Sequence, residues 1–154
     1  MSYFLDPRSF LEPEHVFQFE LLSFDENAHT VEGVRNIISG SFMEDTSEYD
    51  YAQIIYDAGR TANVSPYFLA SRILQEMGYQ GQSALCHGTL EGYEGYYNFY
   101  NIGSTPDPEM ENGALINGAR YAQWGRRPDE QEITPEEEEL MLPWTTVERA
   151  ITGG

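Results

Sequence analysis

The stretch Ser65-Pro66-Tyr67-Phe68-Leu69-Ala70-Ser71-Arg72-Ile73-Leu74-Gln75-Glu76-Met77-Gly78 decides how the rest of the chain reads. Ser65 is an N-cap residue, Pro66 occupies the favoured first helical position, and Phe68, Leu69, Ile73 and Met77 recur at the spacing of one helix face. Gly78 supplies the stop. The helix therefore ends on a glutamate, Glu76, in its last turn, where the carbonyl ends concentrate partial negative charge and disfavour a carboxylate. Ile73 and Met77 add desolvation, which also favours the protonated form. A carboxylic acid that keeps its proton near neutral pH is what cleavage of a glycosidic bond needs, because the departing sugar oxygen must receive a proton. The plainer reading is a solvated helix-end charge, and Arg72 one turn earlier can pair with it and oppose the shift.

Outward from this helix the same grammar recurs. Val31, Val34, Ile37 and Ile38 form an apolar stripe after Thr30, and Asp50 with Gln53 caps a helix through Ile54, Ile55, Ala58 and Ala62 that ends near Asn63. Ser9 with Glu12 opens a short first helix. Helical patterning returns from Asn112 through Leu115, Ile116 and Ala119 to Ala122 and stops at Gly125. Thr134-Pro135-Glu136-Glu137 reads as a capping box, and Thr145-Thr146-Val147-Glu148 opens the last helix. Strands with strict alternation hardly appear, so the chain is expected to be mainly α. Between Tyr79 and Gly103 glycine and tyrosine replace helical periodicity, which predicts a small Gly/Tyr-rich loop or β-hairpin lobe.

At 154 residues and 40% apolar composition the chain suits one compact domain over 1–154. No apolar run approaches the roughly 18 to 20 residues that cross a bilayer, and the N-terminus lacks the basic flank and apolar core of an export signal. The net charge is −18, yet stretches 44–50, 107–111 and 129–139 hold 14 of the 26 acidic residues and no basic one, leaving 12 acidic against 8 basic elsewhere. Such a surface repels phosphate backbones and anionic lipid, so neither nucleic-acid binding nor membrane insertion is expected. The acidic loops lack the twelve-residue calcium pattern and read as solvated charge. Cys86 is the single cysteine; no disulfide can form within the chain, and no motif provides it with a base.

The second chemical feature is GYEGYYNFYNIG at 92–103, with five aromatic residues in twelve positions. Tyrosine offers a face to a sugar ring and a hydroxyl to its edge, while an asparagine amide suits an acetamido group. Tyr93, Tyr96, Tyr97, Asn98, Tyr100 and Asn101 are the candidate substrate contacts, against the alternative of a tyrosine-rich hairpin packed on the core.

SPYFLASRILQE followed by GYEGYYNFYNIG resembles the glucosaminidase domain of glycoside hydrolase family 73. YFLDPRSFL at 3–11, VFQFELLSF at 16–24, HTVEGV at 29–34 and PWTTVERAITGG at 143–154 are similar to the same Firmicute autolysin-type domains, so the resemblance covers nearly the whole chain. It implies a lysozyme-like fold with a cleft, extracellular or cell-wall action on bacterial peptidoglycan glycan strands, and cleavage of GlcNAc-β-1,4-MurNAc bonds without metal or organic cofactor. The family's catalytic glutamate falls on Glu76, and its Asn-aromatic-aromatic-Asn-Ile motif on 98–102, as part of the substrate groove. Glu94 is the nearest candidate for a second catalytic carboxylate, ahead of Glu91, Glu109 and Glu111; the substrate's own acetamido group is the other option. Stretch 129–139 reads as an insertion between YAQWGRRP and PWTTVERAI. The export signal is expected outside this chain, which reads as a domain excised from or related to a larger cell-wall protein. Muramidase or lytic transglycosylase chemistry on the same fold, a non-catalytic glycan-binding or regulatory module, and an acidic helical interaction domain are the competing readings.

Overall fold

A computed structural model describes residues 22–44, 46–126 and 132–154. The expected first helix at Ser9, the motif at 3–11, residues 16–21 of the motif at 16–24, and residues 129–131 of the proposed insertion lie outside the described residues. Within them the chain forms seven helices, α1 (Val31–Ile38), α2 (Tyr51–Ala62), α3 (Pro66–Met77), α4 (Ala84–His87), α5 (Gly113–Trp124), α6 (Pro135–Glu139) and α7 (Val147–Gly153). No described residue is in a strand.

The caps explain where the helices begin. Thr30 Oγ1 accepts the Gly33 N–H, Asp50 Oδ1 accepts that of Gln53, and Ser65 Oγ accepts that of Phe68, each supplying a donor group of the first turn with the partner it lacks. At α6 both halves of the capping box close between Thr134 and Glu137. Asn63 ends α2 in the left-handed conformation at φ +55°, which an asparagine tolerates better than most side chains. α4 is the element the sequence pattern missed: it holds four residues, too few to show a period.

α2 lies at the centre and packs against α1, α3 and α7, while α1 also touches α3, and α4 rests on α5. Val34 and Ile38 of α1, Ile55 and Ala58 of α2, Ala70 and Ile73 of α3, and Val147 and Ile151 of α7 share one buried core. Burying a side chain such as Ile55 contributes roughly 1.5–3 kcal/mol against about 1 kcal/mol for a typical cap, and the core holds many such side chains, so packing and not propensity holds these short helices.

The glycine- and tyrosine-rich stretch forms turns, with no hairpin. Its amides go to scattered partners: Gly95 N–H to Gly88 O, Tyr97 N–H to Trp144 O, Asn98 N–H to Leu85 O. A ladder needs one continuous partner strand, and positive φ at Gly88, Gly92, Gly95 and Gly103 breaks the extended run. Trp144 ties this stretch to the helices, because its own N–H donates to Ala122 O in α5 and its indole donates to Leu140 O.

Gly59 marks the closest approach of α2 to the start of α3: a Cβ there would stand 2.7 Å from Val64 O and 3.0 Å from Pro66 N. Both are backbone atoms and cannot swing away. Gly59→Ala, which improves helix propensity, is expected to lower stability by about 1–3 kcal/mol, read as a reduced urea midpoint with unchanged slope.

Candidate active site

Glu76 sits one residue before the end of α3, and Gly78, at φ +71°, turns the chain away from the helix axis. The carboxylate is half-buried, with 22% of the side chain exposed, and held from two sides. Arg72, one turn earlier, brings Nη2 to 2.6 Å from Oε1. Asn101 Nδ2 donates to Oε2 at 3.2 Å and to the Glu76 carbonyl oxygen at 3.1 Å. Both partners are acceptors, so the amide is oriented with its NH2 group toward the glutamate. One asparagine thus satisfies an orphan carbonyl of the helix end and aims the side chain beside it.

The expected apolar surroundings of Glu76 take a different form. Ile73 and Met77 turn into the core, and the groups at hydrogen-bonding distance from the carboxylate are a guanidinium and an amide. The helical period explains this: Phe68, Arg72 and Glu76 fall on one stripe, and Ile73 and Met77 on the inward one.

Asn101 reaches Glu76 because its backbone is left-handed, at φ +53°. That conformation is costly without glycine and persists only where the surroundings enforce it. The enforcing residue is Asn98. It is wholly buried; its Nδ2 donates to Ile102 O at 2.8 Å and Gly118 O at 3.0 Å, and its Oδ1 accepts the Ile102 N–H at 3.1 Å. This corrects the reading of Asn98 as a substrate contact, since both of its amide donors and an acceptor site are used internally. Its side chain closes the turn that carries Asn101.

The remaining candidates scatter. Tyr100 lines a depression with Phe68, Leu69 and Arg72, while its hydroxyl donates to Ile151 O of α7, and burial pushes its ionisation upward. Tyr96 packs partly on the core. Tyr97 stacks parallel to the buried Phe99 at 6.4 Å and walls a separate cavity of about 260 Å³ with Tyr49, Tyr51, Cys86 and His87. Tyr93 is half-buried, on the turn beside Glu94. Glu94 is exposed, and its carboxylate accepts the Gly92 N–H at 3.1 Å, with no hydrogen bond to Glu76, Arg72 or Asn101. The structure does not join the two proposed carboxylates. Glu91, Glu109 and Glu111 are exposed as well.

Two depressions meet at Ile102. The first holds Phe68, Leu69, Arg72 and Tyr100; the second, of about 430 Å³, lies between residues 102–105 and α5 and is lined by Asn117, Arg120, Tyr121 and Arg126. The role of α5 in a groove was not foreseen, although Asn117 and Tyr121 at four-residue spacing put polar and aromatic side chains on one helix face. Among the described residues no group of three or more His, Cys, Asp or Glu side chains converges as metal ligands do, and no helix is long and apolar enough to cross a membrane.

These features define a mainly helical domain with a restrained carboxylate at a helix end, beside a groove floored by an asparagine-clamped turn. A solved structure of the same fold is that of a major bifunctional autolysin, which superposes with a TM-score of 0.61 over 97% of this chain at 20% identity. The match takes in 51% of the autolysin chain, so this protein spans about half its length. No protein-family model and no curated protein sequence matches the chain.

Asn98→Asp turns a buried donor into an acceptor facing two carbonyls, and should cost about 3 kcal/mol or more, seen as a fallen denaturation midpoint. Cys86 is buried, its Sγ 3.1 Å from Ser83 O, and burial pushes the thiol up to about 11 from its ordinary 9.0. Two pH units mean roughly 100-fold less thiolate well below both values, so a disulfide reagent at pH 8 should modify the native protein at least that much more slowly than the urea-unfolded chain.

Proposed function

We propose that this protein is a peptidoglycan hydrolase of lysozyme-like fold, an endo-β-N-acetylglucosaminidase that cuts GlcNAc-β-1,4-MurNAc bonds with Glu76 as general acid. The observation that carries this reading is the Glu76 carboxylate, restrained by Asn101 and by Arg72, which itself lines the depression beside Tyr100 and Ile102. The motif resemblance and the autolysin fold support the same reading, and with it a place of action at the cell wall.

In this mechanism the glycan lies along the groove past Ile102, and Glu76 delivers its proton to the leaving oxygen. Arg72 must release Oε1 for that. The release is cheap: an i,i+4 ion pair on a partly exposed helix face is worth roughly 0.3–0.5 kcal/mol, small beside the 8 kcal/mol or more by which enzymes lower their barriers. Asn101 keeps the carboxyl aimed while Arg72 moves, because its second hydrogen bond is anchored on the helix carbonyl. The open guanidinium can then receive a hydroxyl or acetamido oxygen of the sugar. Glu94 is the proposed second carboxylate, on a turn where Gly92 and Gly95 have open space beside them. The alternative nucleophile is the acetamido oxygen of the substrate.

Glu76→Gln keeps size and hydrogen bonding while removing the proton. It should cut the clearing of purified peptidoglycan by about 10²–10⁴-fold with an unchanged melting temperature. Undiminished clearing removes Glu76 from the mechanism, and a wild-type protein that binds but never clears is a glycan-binding module. Mass analysis should find new reducing-end GlcNAc; reducing MurNAc or its anhydro form instead establishes the muramidase or transglycosylase chemistry. Glu94→Gln separates the second groups: a comparable loss assigns Glu94, and retained turnover assigns the acetamido oxygen.

A further inference from the structure

The cavity beside Tyr97 carries chemistry that glycan cleavage leaves unused. Four aromatic rings, those of Phe42, Tyr49, Tyr51 and Tyr97, line its 260 Å³ together with Glu48 and His87, and no lysine or arginine lines it. The rings are seated in advance. A Cβ on Gly81 would stand 2.3 Å from the Phe42 ring, and one on Gly88 2.8 Å from the Tyr97 ring, so each ring rests on bare backbone. Tyr97 also stacks on the buried Phe99, and Tyr51 is buried at the start of α2. Thr46 Oγ1 accepts the N–H groups of Glu48 and Tyr49 at 3.3 and 3.1 Å, which sets the turn that carries both side chains.

The lining offers negative charge and lone pairs. Burial, and then hydrogen bonding with Tyr97, pushes Tyr49 up to about 12, and burial pushes Tyr51 up as well, so both hydroxyls stay neutral. The exposed carboxylate of Glu48 is a hydrogen-bonding neighbour of the Tyr49 hydroxyl. His87 Nε2 lies 2.6 Å from Gly81 O, which can only accept, so that nitrogen carries the hydrogen. The neutral ring then has a lone pair at Nδ1 that no described residue uses.

Aromatic faces are negative, and a cation within about 6 Å of a ring centroid is attracted to it. Rings, a carboxylate and lone pairs repel an anion and receive a group that is positive and rich in N–H donors. The volume is below the roughly 300–1,000 Å³ that encloses a whole small ligand, and it fits the end of a side chain. The cavity also adjoins the proposed proton donor. Phe42 N–H donates to the carbonyl of Tyr79, three residues after Glu76, and Tyr97 and Ile102 flank the turn that Asn98 closes. A peptide hanging from a glycan in the groove, extended at roughly 3.3 Å per residue, needs only a few residues to pass from one end of this turn to the other. Resting on the peptidoglycan reading, we infer that the Tyr97 cavity is a subsite for the side-chain ammonium group of the peptide attached to the glycan. Glu48, Tyr49 and Tyr97 are its specificity-determining residues.

The test is calorimetric binding to two soluble peptide-bearing muroglycans, identical except that the peptide amines of one are acetylated, which removes their charge and keeps the chain length. Every protein carries Glu76→Gln, so that the glycans stay whole. With no further change, affinity should be about fivefold or more higher for the free-amine glycan. Glu48→Gln, at an exposed position, and Tyr49→Leu should each lose most of that preference and bind the acetylated glycan as before. Tyr49→Phe, which keeps the ring, and Glu148→Gln, an exposed acid on α7, should retain it. Equal affinity for the two glycans, or equal losses on both in the Glu48 and Tyr49→Leu variants, overturns the inference. Clearing of peptidoglycan by the wild-type protein is measured alongside. Amine preference without clearing sinks the hydrolase reading and keeps the subsite, and clearing without amine preference does the reverse.

Discussion

The buried amide of Asn98 is the constraint on which the site geometry rests. Its hydrogen bonds to both backbone groups of Ile102 close a four-residue turn, and its bond to Gly118 O fastens that turn to α5. Within the turn Asn101 adopts a left-handed backbone that it would not choose alone, and only from there does its amide reach Glu76. Burying an asparagine is worthwhile because its donors and acceptor find fixed partners; any one left unmatched would cost roughly 1–3 kcal/mol. The same satisfaction makes the turn unable to slip by one residue, so the helix end and the loop are held in one register.

Around that fixed point the charges are arranged unevenly. Most of the described acidic residues stand in loops and at the start of α6, where Glu136, Glu137 and Glu138 favour a helix N-terminus. Three of the six described arginines line the two depressions that share Ile102: Arg72, paired with Glu76, on one side, and Arg120 and Arg126 on the other. The Tyr97 side of the loop is of a different nature. There burial and then hydrogen bonding with Tyr97 push Tyr49 up to about 12, and the thiol of Cys86 stays protonated and turned to backbone carbonyls. That cavity is an extension of the core that opens at the surface.

What the amino-acid sequence determined by itself is local. Capping side chains lie within three residues of the amides they satisfy, so the starts of α1, α2, α3, α6 and α7 were readable at Thr30, Asp50, Ser65, Thr134 and Thr146. The position of Glu76 in a final turn followed from the same short-range rule. The tertiary structure decided the long-range matters: which of the tyrosines in 92–103 would be core and which would line a groove, that Asn98 rather than a sugar would occupy its own amide, that Asn101 would meet the glutamate, and that α5 would bring two arginines to the other wall. Each of these depends on a partner 16 or more residues away or on which face of a helix meets the core. A carboxamide has the same composition whether it binds substrate or closes a turn, and only the position of Gly118, twenty residues on, settles which it does.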